Sequence, residues 1–397
     1  MKSAYEALGR TLRLGVIGGG PGGMIGPMHR NAARLDGRFA IVAGVPSSDP
    51  ARATAAGAAI GLPDGRSYGS AAEMIAAERA RGDGIDAVAI MSPNDTHYPA
   101  AIAAIGAGLD VICDKPMTNT LADARDLAAR VRASGRVFCL THAYAAYPMV
   151  RQARAMVAAG AIGAVRAVQV EYLHAGMATR VEAGPLTPKL RWKLDPARGG
   201  PSLVLGDIGT HAHHLACFVS GLTLARVAAD VGAIVPDRTA HDTAAMLLRF
   251  AGGVHGTLFV SQAMAGSENN LNLRICGESG LIEWAQTDPN YLHFAPLGRA
   301  MQRLARGDAD LLPEAQRLVR IARGHPEGLL EAFANLYRDA AEAIAARLAG
   351  APADPLALDF PTAEDGVAGA DLVEAAVRSG REDGAWVACE TAPPVRD

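Results

Sequence analysis

Residues 12–23 have the sequence LRLGVIGGGPGG, in which an apolar run, Leu12–Ile17, leads directly into a glycine-rich segment. The glycines at Gly18, Gly20 and Gly23 match the pattern G-x-G-x-x-G. Between a strand and a helix, such glycines permit a tight turn and let a pyrophosphate approach the backbone near the helix N-terminus. The segment therefore predicts a dinucleotide-binding turn, with an ordinary structural turn as the alternative.

The rest of the first 142 residues repeats this alternation of short apolar runs and helical stretches. Unbroken apolar runs are typical of strands buried on both faces, and their alternation with helices indicates a doubly wound parallel sheet. The predicted strands are 12–17, 39–45, 87–91, 111–113 and 137–140, and helical patterns cover 28–35, 98–107 and 121–133.

After about residue 142 the pattern changes to longer β segments with short connections, which favours an antiparallel or mixed sheet. Gly252-Gly253 is a hairpin-like turn between two of the segments. We therefore predict two domains, 1–142 and 143–397, and a helical pattern in the charged stretch 301–323. The predicted strands of the second domain are 165–173, 226–234, 243–250, 254–263 and 271–276, and its helices are 149–159 and 328–348.

Composition narrows the class of protein. The 397 residues suggest two or three domains. The net charge is -3 and there is no basic run, which argues against a nucleic-acid partner. No run of about 20 apolar residues predicts a membrane span, and no export signal is evident at the N-terminus. Five separated cysteines (Cys113, Cys139, Cys217, Cys276 and Cys389) favour reduced thiols in a cytoplasmic protein over disulfides or zinc.

The end of the second predicted strand bears on the choice of nicotinamide cofactor. An acidic residue is expected there if the ribose 2′-hydroxyl of NAD is bound. The sequence instead continues Pro46-Ser47-Ser48-Asp49, and Asp49 precedes a proline as a helix cap does. Ser47, Ser48 and Arg52 could accept the 2′-phosphate of NADP. The sequence leaves NAD and NADP open.

Loops after the third and fourth strands should face a bound cofactor, because ligands bind outside the carboxyl ends of such strands. In the first loop, Pro93, Asn94 and His97 are candidate contacts, although Asn94 could instead form a turn that caps the next helix. In the second, Lys115 is one of four lysines among 34 arginines. A lysine can transfer a proton and an arginine cannot, so Lys115 is a candidate for the reacting centre, with an exposed surface lysine as the alternative.

A third cluster lies at residues 206–214, GDIGTHAHH. On a helix, Asp207, His211 and His214 share one face. Such an arrangement permits an Asp that orients a proton-transferring His, a zinc site, or a helix cap beside packed core histidines.

These motifs together resemble the glucose–fructose oxidoreductase and inositol dehydrogenase (Gfo/Idh/MocA) family over nearly the whole chain. The resemblance rests on the glycine motif, the Ser92–His97 loop, Asp114-Lys115-Pro116, and Gly199-Gly200 followed by Asp207-x-x-x-His211. Two positions depart from the family pattern, which usually has Glu at Asp114 and a third glycine at Pro201. The longer glycine loop adds Met24 and Ile25, which with Asp114 join the expected cofactor contacts.

The resemblance implies an α/β fold in which a Rossmann domain precedes a domain with a large open, mostly antiparallel sheet, the common oligomer interface of dimers or tetramers. It implies hydride exchange between NAD or NADP and a hydroxyl carbon of a sugar or cyclitol. By position, His211 takes the hydroxyl proton, Asp207 supports it and Lys115 binds the reacting oxygen. Further substrate contacts, expected between the domains, are Tyr144, Tyr172, His174, Arg191, Trp192, Lys193 and, in the 325–327 loop, His325.

Three other functions are compatible with the same residues. The first is a redox-neutral glycoside-processing enzyme that retains its NAD through oxidation, elimination and reduction. The second is a non-catalytic nicotinamide sensor, against which the complete set Lys115, Asp207 and His211 argues. The third is a metal-dependent hydrolase built on Asp207, His211 and His214.

Overall fold

Two sheets organise the chain in the computed structural model, which describes residues 3–47 and 49–391. The strands are β1 (Leu12–Gly18), β2 (Phe39–Val45), β3 (Ala87–Met91), β4 (Asp110–Cys113), β5 (Phe138–Leu140), β6 (Val165–Leu173), β7 (Leu224–Gly232), β8 (Thr243–Phe250), β9 (His255–Ser261), β10 (Asn270–Gly277), β11 (Gly280–Ala285), β12 (Tyr291–Pro296), β13 (Gln302–Ala305) and β14 (Val387–Ala388). The helices are α1 (Ala4–Leu8), α2 (Ile25–Leu35), α3 (Pro50–Ala59), α4 (Ala71–Arg79), α5 (His97–Gly106), α6 (Leu121–Ser134), α7 (Pro148–Ala158), α8 (Pro188–Leu194), α9 (Pro196–Gly199), α10 (Thr210–Ser220), α11 (Pro313–Gln316), α12 (Leu329–Ala349) and α13 (Ala363–Arg381).

The first sheet is parallel, with strand order β2-β1-β3-β4-β5, and it confirms the predicted doubly wound fold. Every residue of β3 and β4 is buried, as the unbroken apolar runs require. The strand order reverses between β1 and β3, where Gly18 pairs with Met91. A reversal of this kind opens a crevice at the carboxyl ends of the strands, the position at which doubly wound sheets bind ligands.

The second sheet has nine strands in the order β13-β12-β11-β10-β6-β9-β8-β7-β14. All neighbours are antiparallel except β6 and β9, so the predicted mostly antiparallel sheet is confirmed. Side chains alternate between buried and exposed along β8, because one face of the sheet lies in the core. The β8–β9 hairpin turns through Gly252 and Gly253, whose φ angles of 79° and 82° favour glycine.

The helix predicted within 301–323 is wrong for most of that stretch. Residues 302–305 form β13, which pairs with β12, and only the four residues of α11 are α-helical. The buried Arg306 donates to the backbone carbonyls of Ile321 and His325 and pairs with the buried Glu327. Residues 301–323 therefore follow strand pairing and the contacts of the buried Arg306, although their charges are spaced as in a helix.

The chain divides into two compact units: Met1–Thr118 with Ala122–Ala143 and Leu329–Gly366, and Asn119–Leu121 with Tyr144–Gly328 and Val367–Asp397. This division differs from two contiguous domains, because the segment that contains α12 returns to the first unit. There the buried Glu342 of α12 accepts hydrogen bonds from the backbone N–H groups of Ala4 and Tyr5. No helix in the described ranges is both long and apolar enough to span a membrane.

A buried ion pair provides a test of how α12 is held in the first unit. Arg347 of α12 lies 2.5 Å from Asp110, which is fully buried at the start of β4. Burial raises the pKa of Asp110 above its usual value, although Arg347 opposes the shift. We expect Arg347→Met to lower the free energy of unfolding at pH 7 by about 3 kcal/mol, because it leaves a buried carboxylate uncompensated.

The loss should shrink as the pH falls from 7 toward about 4, since protonation of Asp110 removes the buried charge. Urea unfolding at several pH values measures both effects. Arg130→Met is the matched control: it breaks the exposed pair with Asp126 and should cost less than about 1 kcal/mol. An equal loss at pH 7 and pH 4 would contradict this account.

Candidate active site

The glycine loop between β1 and α2 is shaped by backbone contacts of its own. A Cβ atom on Gly20 would lie 2.1 Å from the carbonyl oxygen of Pro46. One on Gly26 would lie 2.2 Å from the carbonyl oxygen of Gly19. A Cβ on Gly23 would meet nothing within 4 Å. Gly26, and not Gly23, therefore provides the close approach of helix to strand, and the Gly22-Gly23 part of the loop is open to a ligand.

The end of β2 carries no acidic side chain that points to a ribose. Asp49 caps α3 by accepting a hydrogen bond from the backbone N–H of Ala51, so the helix-cap interpretation is confirmed. The hydroxyl of Ser47 accepts from the backbone N–H of Asp49, and Arg52 is exposed in the first turn of α3. Ser48 lies outside the described residues.

His97 ties together the loops that follow β3 and β4. Its ring is buried, and its two nitrogens lie 2.8 Å from the carbonyl oxygen of Pro116 and 2.9 Å from that of Ser92. The hydroxyl of Thr96 also donates to the carbonyl of Pro93. His97 thus links the two loops through their backbone carbonyls, and its direct contact with a cofactor stays a prediction. Asn94 begins the 3-10 turn of the first loop and is half-buried.

Asp114 and Lys115 follow β4, next to the strand-order reversal. One carboxylate oxygen of Asp114 accepts from the backbone N–H of Lys115 and from the hydroxyl of Thr141. The buried His29 lies 3.9 Å from the same oxygen and bonds to Tyr337 of α12. Burial raises the pKa of Asp114, but His29 and Lys115 outweigh it and hold that pKa well below its usual range. Asp114 is therefore an anion beneath the half-buried Lys115.

Asp207 is the centre of the candidate cluster in the second unit. It lies in a π-helical turn, Leu205–Gly209, directly before α10, a geometry that is often found at functional sites. Its Oδ2 atom accepts from Lys193 Nζ at 2.6 Å and from Gln262 Nε2 at 2.7 Å. The structure therefore gives Asp207 two hydrogen-bond donors, Lys193 and Gln262, while its pairing with His211 stays a prediction.

In the same unit Tyr144 contacts His211, and Tyr172 contacts Tyr144. The ring of His211 lies edge-on to Tyr144 with centroids 4.9 Å apart, and the hydroxyls of Tyr144 and Tyr172 are 2.6 Å apart. Burial, with the nearby Tyr172 and the charge of Asp207, raises the pKa of Tyr144 well above its usual range. Burial also raises the pKa of Tyr172 to about 12, and Asp207 contributes to that shift. Both phenols therefore keep their protons at neutral pH.

The other predicted substrate contacts differ in their neighbours and in their exposure. His174 is edge-on to Tyr172, with centroids 6.2 Å apart. Trp192 has the ammonium of Lys193 6.0 Å from its ring centroid. Arg191 is exposed and donates to the carbonyl of Leu186. His325 is exposed as well, in the loop that Arg306 anchors.

The other histidines of α10 pack into the interior. His214 is buried and stacks on Phe218, with centroids 5.5 Å apart. His213 is buried, and its Nε2 lies 3.3 Å from the sulfur of Cys217. His214 is therefore a packed core histidine. Within the described ranges, no group of three or more His, Cys, Asp and Glu side chains is arranged to hold a metal ion.

Sequence reasoning missed several partners of the candidate residues. Gln262 reaches Asp207, Thr141 and His29 reach Asp114, and Tyr337 bonds to His29; none of the four belongs to a motif, and the fold alone brings them together. Lys193 was predicted as a substrate contact but not as a hydrogen-bond partner of Asp207. The rarity of lysine, which singled out Lys115, was the signal that could have linked Lys193 to the site as well.

Comparison with known proteins assigns the chain to a family. Residues 12–142 match an oxidoreductase family with an NAD-binding Rossmann fold, and residues 150–283 match the GFO/IDH/MocA C-terminal domain. An uncharacterized oxidoreductase of Bacillus subtilis is 33% identical over 98% of this chain and 99% of its own length. The chain belongs to the Gfo/Idh/MocA oxidoreductase family, as the motifs predicted.

Solved structures agree with this assignment. An oxidoreductase from Sinorhizobium meliloti is 45% identical, with a TM-score of 0.85 over 95% of this chain and 99% of that one. An inositol dehydrogenase homologue from Azotobacter vinelandii, complexed with NAD+, is 36% identical, with a TM-score of 0.91 over 98% of this chain and 100% of that one. The same homologue has been solved with NADH and myo-inositol, with a TM-score of 0.87, 35% identity and coverage of 98% and 100%.

The first unit fits the NAD-binding role of its family. The Gly22-Gly23 part of the loop has no neighbour that a Cβ would meet, and it follows β1 at the strand-order reversal. The exposed Met24 precedes α2, which begins at Ile25. Backbone N–H groups at such a helix start are suited to a pyrophosphate. The predicted nicotinamide cofactor is confirmed at the level of the family, whose description specifies NAD.

Two glycine substitutions separate the shape of the loop from its exposure to cofactor. We expect Gly20→Ala to lower the stability of the NAD-free protein by about 2 kcal/mol, because its Cβ collides with the Pro46 carbonyl. Gly23→Ala meets no neighbour, so stability should change by less than about 0.5 kcal/mol while NAD affinity falls about tenfold. Urea unfolding without NAD and calorimetric titration with NAD measure the two effects. Unchanged NAD affinity in Gly23→Ala would remove Gly23 from the cofactor contacts.

Proposed function

We propose that this protein is an NAD-dependent dehydrogenase that oxidises a hydroxyl-bearing carbon of a cyclitol or sugar. The observation that carries the proposal is Lys115, which follows β4, the neighbour of β3 at the strand-order reversal of an NAD-binding fold. The relative with bound myo-inositol supports a cyclitol as the first substrate to test. When bound, the nicotinamide takes up the hydride that leaves the carbon.

The residues divide the remaining chemistry between them in this proposal. His211 accepts the hydroxyl proton as the hydride leaves, so the oxygen does not develop a full negative charge. Lys115 donates a hydrogen bond to the same oxygen and stabilises the charge that does develop. Asp207, four residues before His211, orients the imidazole and supports it electrostatically. The anion Asp114 holds the backbone N–H of Lys115 and thereby orients this residue.

The surroundings of His211 suit a polyhydroxylated ring. Tyr144 restrains the imidazole edge-on, and its hydroxyl shares a hydrogen bond with Tyr172. Both phenols stay protonated, so they can donate as well as accept hydrogen bonds. Aromatic side chains also provide flat apolar surfaces for the C–H groups of such a ring. Tyr144, Tyr172, His174 and Trp192 remain the proposed substrate contacts.

A substrate screen tests the proposed reaction. Purified protein is mixed with NAD or NADP and a panel of cyclitols and sugars that starts with myo-inositol, and absorbance at the wavelength of reduced nicotinamide is followed. We expect reduction with at least one substrate and faster turnover with NAD. Substrate conversion without added cofactor and without net reduction would instead indicate the redox-neutral reaction. NAD binding without any conversion would favour the sensor.

Lys115→Arg tests the role of the compact ammonium. The substitution keeps the positive charge but loses the geometry of the ammonium and its ability to transfer a proton. We expect kcat to fall roughly a hundredfold, while the Kd for NAD changes little. Lys189→Arg, at an exposed position of α8, is the matched control. Wild-type turnover in Lys115→Arg would remove Lys115 from the reaction.

The pH dependence of oxidation tests His211. Because the neutral imidazole accepts the proton, kcat/KM should rise with pH through the range near 6.5 in which histidines titrate. His211→Ala should abolish this limb and most of the turnover. Asp207→Asn should lower kcat more than it raises KM, and the two losses should be far from additive, since the pair acts as one unit. A double variant whose loss equals the product of the single losses would contradict the pairing.

A further inference from the structure

The ion pair between Lys193 and Asp207 has no assigned function. The two side chains are mostly buried, with 17% and 24% of their surfaces exposed, and the atoms that join them are 2.6 Å apart. Gln262, which is almost fully buried, donates to the same oxygen of Asp207 at 2.7 Å. Two donors on one oxygen favour the ionised carboxylate and hold it in one orientation.

The two donors reach Asp207 from separate elements, and each is held in place. Lys193 lies in the last turn of α8, which begins with the Thr187 side chain as its cap and Pro188 in the first turn. The backbone N–H of Gln262 donates to the carbonyl of Asp242, and the Gln262 carbonyl accepts from the N–H of Met177. The Asp207 carboxylate therefore accepts one hydrogen bond from Lys193 of α8 and another from Gln262, which directly follows β9.

The buried Arg238 supports the segments to which the backbone of Gln262 is hydrogen-bonded. It pairs with Asp242 at 3.1 Å and donates to the carbonyls of Met177 and Thr179, in the segment that leads toward α8. It also binds Glu182 at 2.8 Å. The position of Gln262 against Asp207 therefore depends on a buried, internally paired network.

The charge of Asp207 also acts on the groups around His211. Tyr144 lies in the 3-10 turn before α7 and Tyr172 lies in β6. The negative charge of Asp207 contributes to the raised pKa of both phenols. His211 lies four residues after Asp207 at the start of α10 and contacts Tyr144. Two described donors bond to Asp207: Lys193 is a cation and Gln262 is a neutral amide.

We propose that Lys193 is a positioning residue that compensates the charge of Asp207 and thereby keeps His211 neutral enough to accept a proton. An isolated carboxylate next to an imidazole favours the protonated ring, which could not act as a base. The ammonium of Lys193 cancels most of that influence and leaves Asp207 as an oriented, hydrogen-bonded support. This inference rests on the proposed function for its consequence in turnover, but not for the electrostatic effect itself.

The titration of His211 tests the electrostatic effect without any reaction. The pKa of His211 is measured by NMR of the imidazole Cε1–H signal in the intact, substrate-free protein, and the spectrum of His211→Gln assigns the signal among the 11 histidines. In Lys193→Met we expect the pKa of His211 to rise by about one unit, because Asp207 is no longer compensated. Lys193→Arg should restore the wild-type value, and Lys193→Met combined with Asp207→Asn should reverse the rise.

Lys189→Met is the matched control, since it removes an ammonium from the same helix at an exposed position. A pKa of His211 that is unchanged or lowered in Lys193→Met would overturn the proposal, as would an equal shift in Lys189→Met. If Lys193→Met does not fold, Lys193→Gln replaces it with the same expectation.

A kinetic measurement links the effect to the reaction. The acidic limb of kcat/KM for oxidation should move to higher pH by the same shift in Lys193→Met, and KM at high pH should change less than threefold. A displaced NMR titration with an unmoved kinetic limb would overturn the role of Lys193 in the reaction. A failed substrate screen with a displaced titration would reject the proposed function and keep the Lys193–Asp207–His211 coupling.

Discussion

The first unit depends on the close approach of α2 to the end of β1. Gly26 lies so near the Gly19 carbonyl that no side chain fits, and Arg30 of the same helix binds that carbonyl. This approach places His29 one turn into α2, where it bonds to Tyr337 of α12 and lies beside Asp114. The contact that shapes the dinucleotide loop therefore also joins α12 to the sheet and supports the loop that carries Lys115.

The second unit depends in a similar way on buried ion pairs. Arg238 with Asp242, and Arg306 with Glu327, each hold backbone carbonyls of irregular segments in place. Such pairs contribute little net stability but penalise any other arrangement strongly. They fix the segments that lie between the regular elements of this unit, and one of those segments leads to α8 with Lys193.

Strands β1–β10 and helices α2, α5, α6, α7 and α12 were predictable because burial leaves a clear periodic pattern, whereas β11, β12, β14 and α13 were not predicted. β2, β3, β6 and β8 have the predicted bounds, and other elements differ by a few residues at their ends. The stretch 301–323 was not predictable, since its fate depends on pairing with β12 and on Arg306. The site was predictable as far as its motifs: Lys115, Asp207 and His211 could be named, but Gln262 and His29 could not.

The sequence by itself determined the family, the doubly wound fold and the identity of the candidate residues, because glycine spacing, apolar runs and rare lysines are local properties. Only the tertiary structure decided that Gly26, and not Gly23, packs against the end of β1. It also decided that His97 links two loops and that Lys193 and Gln262 donate hydrogen bonds to Asp207. The contacts of His97 with Pro116 and of Asp207 with Gln262 join residues 19 and 55 positions apart in the chain. Their partners are chosen by the packing of helices on sheets, which no local pattern encodes.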